Sequence, residues 1–458
     1  MKKITMLLAS CLIALSASAQ MTFTLRSGVT GTTATNPVDG STTITVPAGT
    51  DLSGLITAVQ IDGNNVTASQ ITPNPTTTKI EYGQLEVFTY NNKAYGFRFV
   101  EDVWFCAVFI SDCHTGQGSN ADGTSVADLT SITNNIIAMG RTAYTSTPKV
   151  TFSGVDGLPS GFIPKASIVF CTGDLDADKD NHSNFTSATA DLYKTANIPF
   201  IFIAGNHDFS PDYWTGENPD KGVTWSIDGS GGAAADAKTL SVIKTNNNYW
   251  NSQGVFDEGI TYFTTGSSRT FEPQHFTFKF NDVRFYCANN YWFQKPYSGS
   301  VSFTYYAPDP IINNLETFVD NHTSEASVWM QHYSFNAGSD IKRWWLDQQD
   351  YGKYIKTTDS SAYGTNVDVE LWSNSGGTAD QYANAKRDKL ASIIEKTTNP
   401  IHFSGHFHQF ADNTWTNNGH STRDYTCAAN GNSNQTNNAY VVLLKRGEGV
   451  KAVVQTQF

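Results

Sequence analysis

Five short clusters in this 458-residue chain combine side chains that can bind a cation or move a proton: Asp112-Cys113-His114, Gly173-Asp174, Gly205-Asn206-His207-Asp208, Gln331-His332 and Gly405-His406-Phe407-His408. Carboxylate oxygens, imidazole nitrogens and an amide oxygen are donors that divalent metals accept. A histidine next to an aspartate is also common equipment for general acid–base work. Singly, each cluster has a blander reading. Asp-x-His is usually a surface turn, and Gly-Asp after a strand is a turn whose aspartate bonds its own backbone. A lone His332 is more often a hydrogen-bonded core residue than a ligand, and alternating histidines also fit a sheet edge.

What gives the clusters weight is where they fall. Each directly follows a continuous apolar run: Trp104 to Ile110, Ser167 to Cys171, Pro199 to Ala204, Ser327 to Met330 and Pro400 to Phe403. Such runs suit strands buried on both faces. Asp128 to Met139 and Ala383 to Glu395 have helix-compatible spacing for crossovers. By pattern alone this is an α/β chain with one doubly wound sheet, in which ligands bind beyond the carboxyl ends of the strands. Five strands then deliver five clusters to one rim.

The segment before these runs has a different texture. From Met21 to about Val100 it is rich in Thr, with short alternating stretches, and Glu86 to Tyr90 and Lys93 to Phe99 form a hairpin across Asn91-Asn92. A small antiparallel all-β sandwich domain over residues 20–101 is the expectation, similar in pattern to immunoglobulin-like accessory domains. At the start, Lys2 and Lys3, an apolar stretch from Ile4 to Leu15 and Ala17-Ser18-Ala19 read as a signal peptide over residues 1–19, cleaved after Ala19. That layout implies a secreted or periplasmic protein. Leu8-Ala9-Ser10-Cys11 matches a lipoprotein box, but the apolar run before Cys11 is short and continues past it, which favours cleavage over anchoring. Five further cysteines are few and irregularly spaced, so no disulfide framework is implied.

Composition closes off other classes. The formal net charge is −12, and removing the leader would take away only lysines. Nonspecific nucleic-acid binding needs a positive field and is not expected. No apolar run reaches the roughly 20 residues that span a bilayer. Between about 209 and 324 lies a stretch rich in Gly, Asn and aromatics, read as a long insertion. Its Tyr286, Tyr291, Trp292, Phe293, Tyr297, Phe303, Tyr305 and Tyr306 are either an aromatic wall for a substrate or the core of a β-extension, and the second reading is favoured.

Taken in order, the five clusters resemble the calcineurin-like metallophosphoesterase superfamily, whose pattern runs Asp-x-His, Gly-Asp, Gly-Asn-His-Asp/Glu, His and Gly-His-x-His. The resemblance covers residues 102–458. It implies two mixed sheets packed as a β-sandwich and flanked by helices, in place of the single sheet. It also implies two divalent metal ions, zinc, iron or manganese. Asp112, His114, Asp174 and His408 would hold the first, and Asp174, Asn206, His332 and His406 the second. His207 would contact the phosphate and protonate the leaving oxygen, with Asn206 also at the substrate and Asp208 orienting His207. Asp176 and Asp178 fit either supporting groups around the site or solvated loop acids. Ala177 stands where the purple acid phosphatase branch has a tyrosine, so an iron–tyrosinate site is not implied. The implied activity is hydrolysis of phosphate esters, monoester or diester, through a hydroxide shared by two metals. Its substrate would be a small-molecule, lipid or nucleotide phosphoester. Two carboxylates and a hydroxide fall one charge short of neutralising two divalent ions, so an anionic substrate is attracted despite the acidic chain. The alternative from another class is a catalytically inactive phosphoesterase-like binding protein at the cell surface, against which the intact ligand set weighs.

Overall fold

The computed structural model describes residues 20–458 apart from 36–39, 48–49, 116–123, 141–149, 157, 159–164, 177–181, 206–207, 209–231, 264–274, 290, 294–303, 307–308, 336–378 and 429–437. The expected signal segment, Cys11 included, therefore lies outside the described residues. The chain divides into two compact units, with the main division between Val103 and Trp104.

The first unit contains β1 (Met21–Leu25), β2 (Thr32–Thr35), β3 (Thr42–Val46), β4 (Ile56–Ile61), β5 (Asn64–Val66), β6 (Glu86–Tyr90) and β7 (Lys93–Glu101). They form a three-stranded sheet, β1-β4-β5, and a four-stranded sheet, β2-β3-β7-β6. Met21, Ile56 and Val59 of one sheet share a core with Phe88, Phe97 and Phe99 of the other. The ring of Phe23 lies 4.4 Å from that of Phe97 and 5.6 Å from that of Phe88. Asn91 and Asn92 take φ of 46° and 60°, as a two-residue type I′ hairpin turn demands. One feature departs from an antiparallel sandwich: β3 and β7 are parallel. Between them the chain crosses to the other sheet to lay down β4 and β5, the crossover that a parallel pair requires.

The second unit holds β8 (Trp104–Ile110), β9 (Ala166–Cys171), β10 (Phe200–Phe202), β11 (Glu258–Tyr262), β12 (His275–Phe280), β13 (Val283–Ala288), β14 (Tyr291–Phe293), β15 (Thr304–Tyr306), β16 (Ala326–Met330), β17 (Thr398–Ser404), β18 (Ala411–Asn417), β19 (His420–Thr426), β20 (Asn438–Lys445) and β21 (Gly449–Gln457). Its helices are α1 (Val126–Ala138), α2 (Ser183–Ala188), α3 (Ala190–Ala196), α4 (Gly232–Ser252), α5 (Asp309–Asp320) and α6 (Ala379–Ile394). Ser125 caps α1 by accepting from the Asp128 amide at 3.0 Å. That helix buries Leu129, Ile132, Thr133 and Ile136, the spacing of one helical face.

The five apolar runs are strands, but they do not share a sheet, which corrects the single doubly wound sheet read from pattern alone. β8, β9 and β10 lie in a five-stranded sheet of order β10-β9-β8-β20-β21. β16 and β17 belong to a seven-stranded sheet of order β11-β12-β13-β16-β17-β19-β18. The two sheets meet through aromatic rings: Phe109 of β8 stacks on Phe403 of β17 at 3.9 Å, and Phe170 of β9 on Phe285 of β13 at 5.1 Å. Buried runs do not reveal which sheet they join, because β8 and β10 in one sheet and β16 in the other are alike buried along almost their whole length.

The stretch read as an insertion also differs from expectation. It supplies β11, β12 and β13 to the seven-stranded sheet. The signal was present: Phe276, Phe278 and Phe280 alternate, and Asn281-Asp282, with φ of 50° and 55°, turn the chain into β13. Tyr286 is a core residue whose ring stacks on Trp329 at 4.1 Å. β14 and β15 pair as an antiparallel ribbon, while Tyr297 and Phe303 lie outside the described residues. Among the described residues no helix is long and apolar enough to cross a membrane.

Phe109 lies between the rings of Phe170 and Phe403 and is fully buried. Phe109→Ala should cost about 3–5 kcal/mol of unfolding free energy. Urea denaturation followed by tryptophan fluorescence checks this, and a cost under about 1 kcal/mol would refute the sheet-to-sheet packing described.

Candidate metal centre

Parallel pairing sets the site. Ile110 of β8 lies opposite Cys171 of β9, and the ladder continues past both strands. The Asp112 amide donates to Gly173 O and the His114 amide to Asp174 O, each at 2.9 Å. Main-chain hydrogen bonds thereby hold Asp112, His114 and Asp174 side by side. In the other sheet Met330 lies opposite Phe403, and the Gly405 amide donates to His332 O at 2.9 Å. Hydrogen bonds from both histidine segments join the sheets at this end. The His406 amide donates to both carboxylate oxygens of Asp112, at 3.0 and 2.9 Å, and His332 Nδ1 donates to Thr172 O at 2.9 Å.

Six of the nine site residues expected from sequence converge in two groups that share a member. Asp112, His114, Asp174 and His408 each place a ligand atom within 4.8 Å of the others, and Asp174, His332 and His406 do the same. Asp174 Oδ2 lies 3.5 Å from His114 Nε2 and 3.4 Å from His332 Nε2, and Asp112 Oδ1 lies 3.4 Å from His408 Nε2. Bonds of 2.0–2.1 Å at a tetrahedral metal put neighbouring ligand atoms about 3.3–3.4 Å apart. The donor set and its spacing therefore fit two divalent cations sharing the Asp174 carboxylate. Asn206 and His207 lie outside the described residues.

The backbone is strained to reach this arrangement. Asp112, His114, Asp174, His406 and His408 all have positive φ, between 39° and 74°, a region costing about 1–3 kcal/mol for a side chain of this kind. Close approach adds a second demand. A Cβ at Gly205 would sit 2.1 Å from Asp174 Oδ1 and 2.6 Å from His332 Cε1, and one at Gly405 would sit 2.6 Å from Asp112 Oδ2. Only glycine lets these turns close on the ligands.

The electrostatics call for positive charge. Asp112 and Asp174 are fully buried. Burial alone would lower the His332 pKa, but the carboxylates of Asp174 and Asp112 outweigh it and raise it to about 9. Because Nδ1–H is committed to the Thr172 carbonyl, Nε2 is the atom that faces Asp174 and must carry a proton or meet a cation. His114 titrates below its ordinary value, chiefly because it is buried. Burial would raise Asp112, yet the hydrogen bond and charge of His408 hold it below the usual carboxylate range.

Asp208 is buried beside the site, while His207, which it is expected to orient, lies outside the described residues. The Asp208 carboxylate accepts from the amides of Leu175 at 2.9 Å and Gly205 at 2.7 Å, tying the Asp174 loop to the Gly205 turn. Burial, reinforced by the charge of Asp174, pushes it up to about 7. Beside it His182, which matches none of the sequence clusters, lies 3.8 Å from Asp208 Oδ1 and bonds Thr239 Oγ1 at 2.7 Å. Asp176 is a buried cap, accepting from the Phe185 amide at 2.8 Å in the first turn of α2. Asp178 lies outside the described residues.

Sequence reasoning passed over Asp424 of β19. It accepts from His402 Nδ1 and Ser404 Oγ at 2.9 Å each, from Ser334 Oγ at 2.5 Å and from the Phe335 amide at 2.8 Å. The loop after His332 and the end of β17 before His406 are thus held to one buried carboxylate. Its only sequence signal is a charge inside a strand that alternates. The thiols of Cys113 and Cys171 donate to Ser111 O at 3.9 Å and Gly173 O at 3.8 Å, and burial first and the neighbouring Cys113 second raise Cys171 well above an ordinary thiol. All five described cysteines are buried.

A family model described as calcineurin-like phosphoesterase matches residues 107–410. A search of curated proteins finds no match. The matched span covers both ligand groups and both sheets between β8 and β17, and the chain belongs to the calcineurin-like phosphoesterase family.

Proposed function

We propose that this protein is a metal-dependent hydrolase of phosphate esters. In this reading Asp112, His114, Asp174 and His408 hold one divalent cation, and Asp174, His332 and His406 hold the other together with Asn206. The observation that carries it is the single oxygen of Asp174, 3.5 Å from one group's histidine and 3.4 Å from the other's. When bound, two such cations acidify a shared water and stabilise charge on phosphoryl oxygens. Zinc, manganese and iron all suit nitrogen and oxygen donors of this kind.

The chain's own residues supply orientation and proton handling. Thr172 O holds His332 in the tautomer that presents Nε2, and the His406 amide fixes both oxygens of Asp112. Asp208 holds the Gly205 turn against the Asp174 loop. His207 then gives its proton to the leaving oxygen, help typically worth ~10²–10⁴ in rate. The leader-like N-terminus supports export, and the β-rich first unit supports an accessory role for residues 20–101 of an immunoglobulin-like kind.

Asp174→Asn should lower cation content at both groups and abolish turnover of an aryl phosphate monoester and diester. Elemental analysis beside the assay checks both, and undiminished turnover would remove the mechanism. His207→Ala should keep its cations yet slow hydrolysis most for poor leaving groups; equal slowing across a leaving-group series would exclude the acid role. Stripping with a chelator should end activity, and zinc, manganese or ferrous ion should restore it. Activity that survives complete removal of cations would overturn the proposal.

A further inference from the structure

We infer that Asn289 is a positioning residue for the second ligand group, fixing the His332 loop against the Gly205 turn. This inference rests on the two-cation reading above.

The residue lies just past β13, and the parallel register of Cys287 with Met330 carries forward to place Asn289 beside His332. Its side chain is 1% exposed and used at both ends. Oδ1 accepts from the His332 amide at 3.1 Å, and Nδ2 donates to Ala204 O at 2.8 Å. One planar amide thus spans the end of β10 in the five-stranded sheet and the end of β16 in the seven-stranded sheet. The next residue after Ala204 is Gly205, whose missing side chain lets the turn press on Asp174 Oδ1 and the His332 ring.

The two ligand groups differ in how they are held. Asp112, His114 and Asp174 stand on the continuing ladder of β8 and β9, with amide-to-carbonyl bonds of 2.9 Å that do not involve Asn289. His332 is held at its carbonyl by Gly405, at Nδ1 by Thr172 and at its amide by Asn289. Asn289 is the one among these that also reaches Ala204. Only an amide offers a donor and an acceptor on a rigid plane here; aspartate keeps the acceptor, and alanine keeps neither. Loss of the amide should therefore weaken the second cation and leave the first alone.

The test uses the full chain stripped of metal and titrated with Co²⁺ by visible absorption and with Mn²⁺ by calorimetry. Wild type should take up two equivalents. In Asn289→Ala the first equivalent should bind within about twofold of wild type and the second about 10–100-fold more weakly, the usual size of a supporting-group loss. Asn289→Asp, isosteric and keeping the acceptor toward His332, should fold as wild type and show the same selective loss. In turnover assays the cation concentration for half-maximal activity should rise by the same factor, with kcat at saturating cation recovering to within a fewfold of wild type. Equal weakening of both equivalents, wild-type titrations in both variants, or failure of both variants to fold would each overturn the role. Fewer than two equivalents in wild type would instead overturn the two-cation reading itself, and this inference with it.

Discussion

The organisation of the second unit turns on one buried oxygen. Asp174 Oδ2 faces His114 Nε2 at 3.5 Å and His332 Nε2 at 3.4 Å, although His114 is adjacent to it through the β8–β9 ladder and His332 comes from the other sheet. A carboxylate removed from water is costly unless positive charge meets it. Asp112 adds to that demand, with a ligand atom within 4.8 Å of one from Asp174. A cation between the strand termini would offset that cost. Where cations are bound, the same requirement that makes the site reactive also holds the sheets' ends together.

Around that oxygen, the supporting groups fall into a pattern. Two further buried aspartates hold loops. Asp208 ties the Asp174 loop to the Gly205 turn in the five-stranded sheet, and Asp424 ties the loop after His332 to the end of β17 before His406 in the seven-stranded one. Each takes its hydrogen bonds from backbone amides, hydroxyls or an imidazole, so each satisfies its own oxygens without drawing on the candidate ligands. The positive φ values at five ligands store strain that a looser loop would release. Holding each loop from behind is how the chain keeps ligands preorganised at such backbone angles.

Much of this was legible in the sequence, for definite reasons. The candidate ligands follow buried strands directly, so Asp112, Asp174 and His332 could be placed at strand ends by finding where Val, Ile and Phe stop. The glycines at 205 and 405 announce close approach because no other residue fits there. What stayed hidden depends on the partner across space. The five runs look alike whether they join one sheet or two, and only rings such as Phe109 and Phe403 meeting face to face decide it. Asn289 and Asp424 carry no motif, since each acts on the backbone of a segment that lies far away in sequence. Asp208 is legible in part: the motif marks it as a site residue, but not that its oxygens accept from the amides of Leu175 and Gly205.

The chain's charge and the site's charge pull in opposite directions, and this bears on substrate recognition. At −12 overall, the protein's long-range field repels phosphate esters. In the proposed reading attraction comes from within about a Debye length, roughly 8 Å at physiological ionic strength, where two cations would outweigh two carboxylates. Recognition of the phosphoryl group is then a property of the loaded site and not of the surface. Whatever distinguishes one ester from another has to be read by side chains near the rim. Asn289, Asp208 and Asp424 are buried, so in the proposed reading they would bear on how firmly the cations are held and not on what a substrate carries beyond its phosphate.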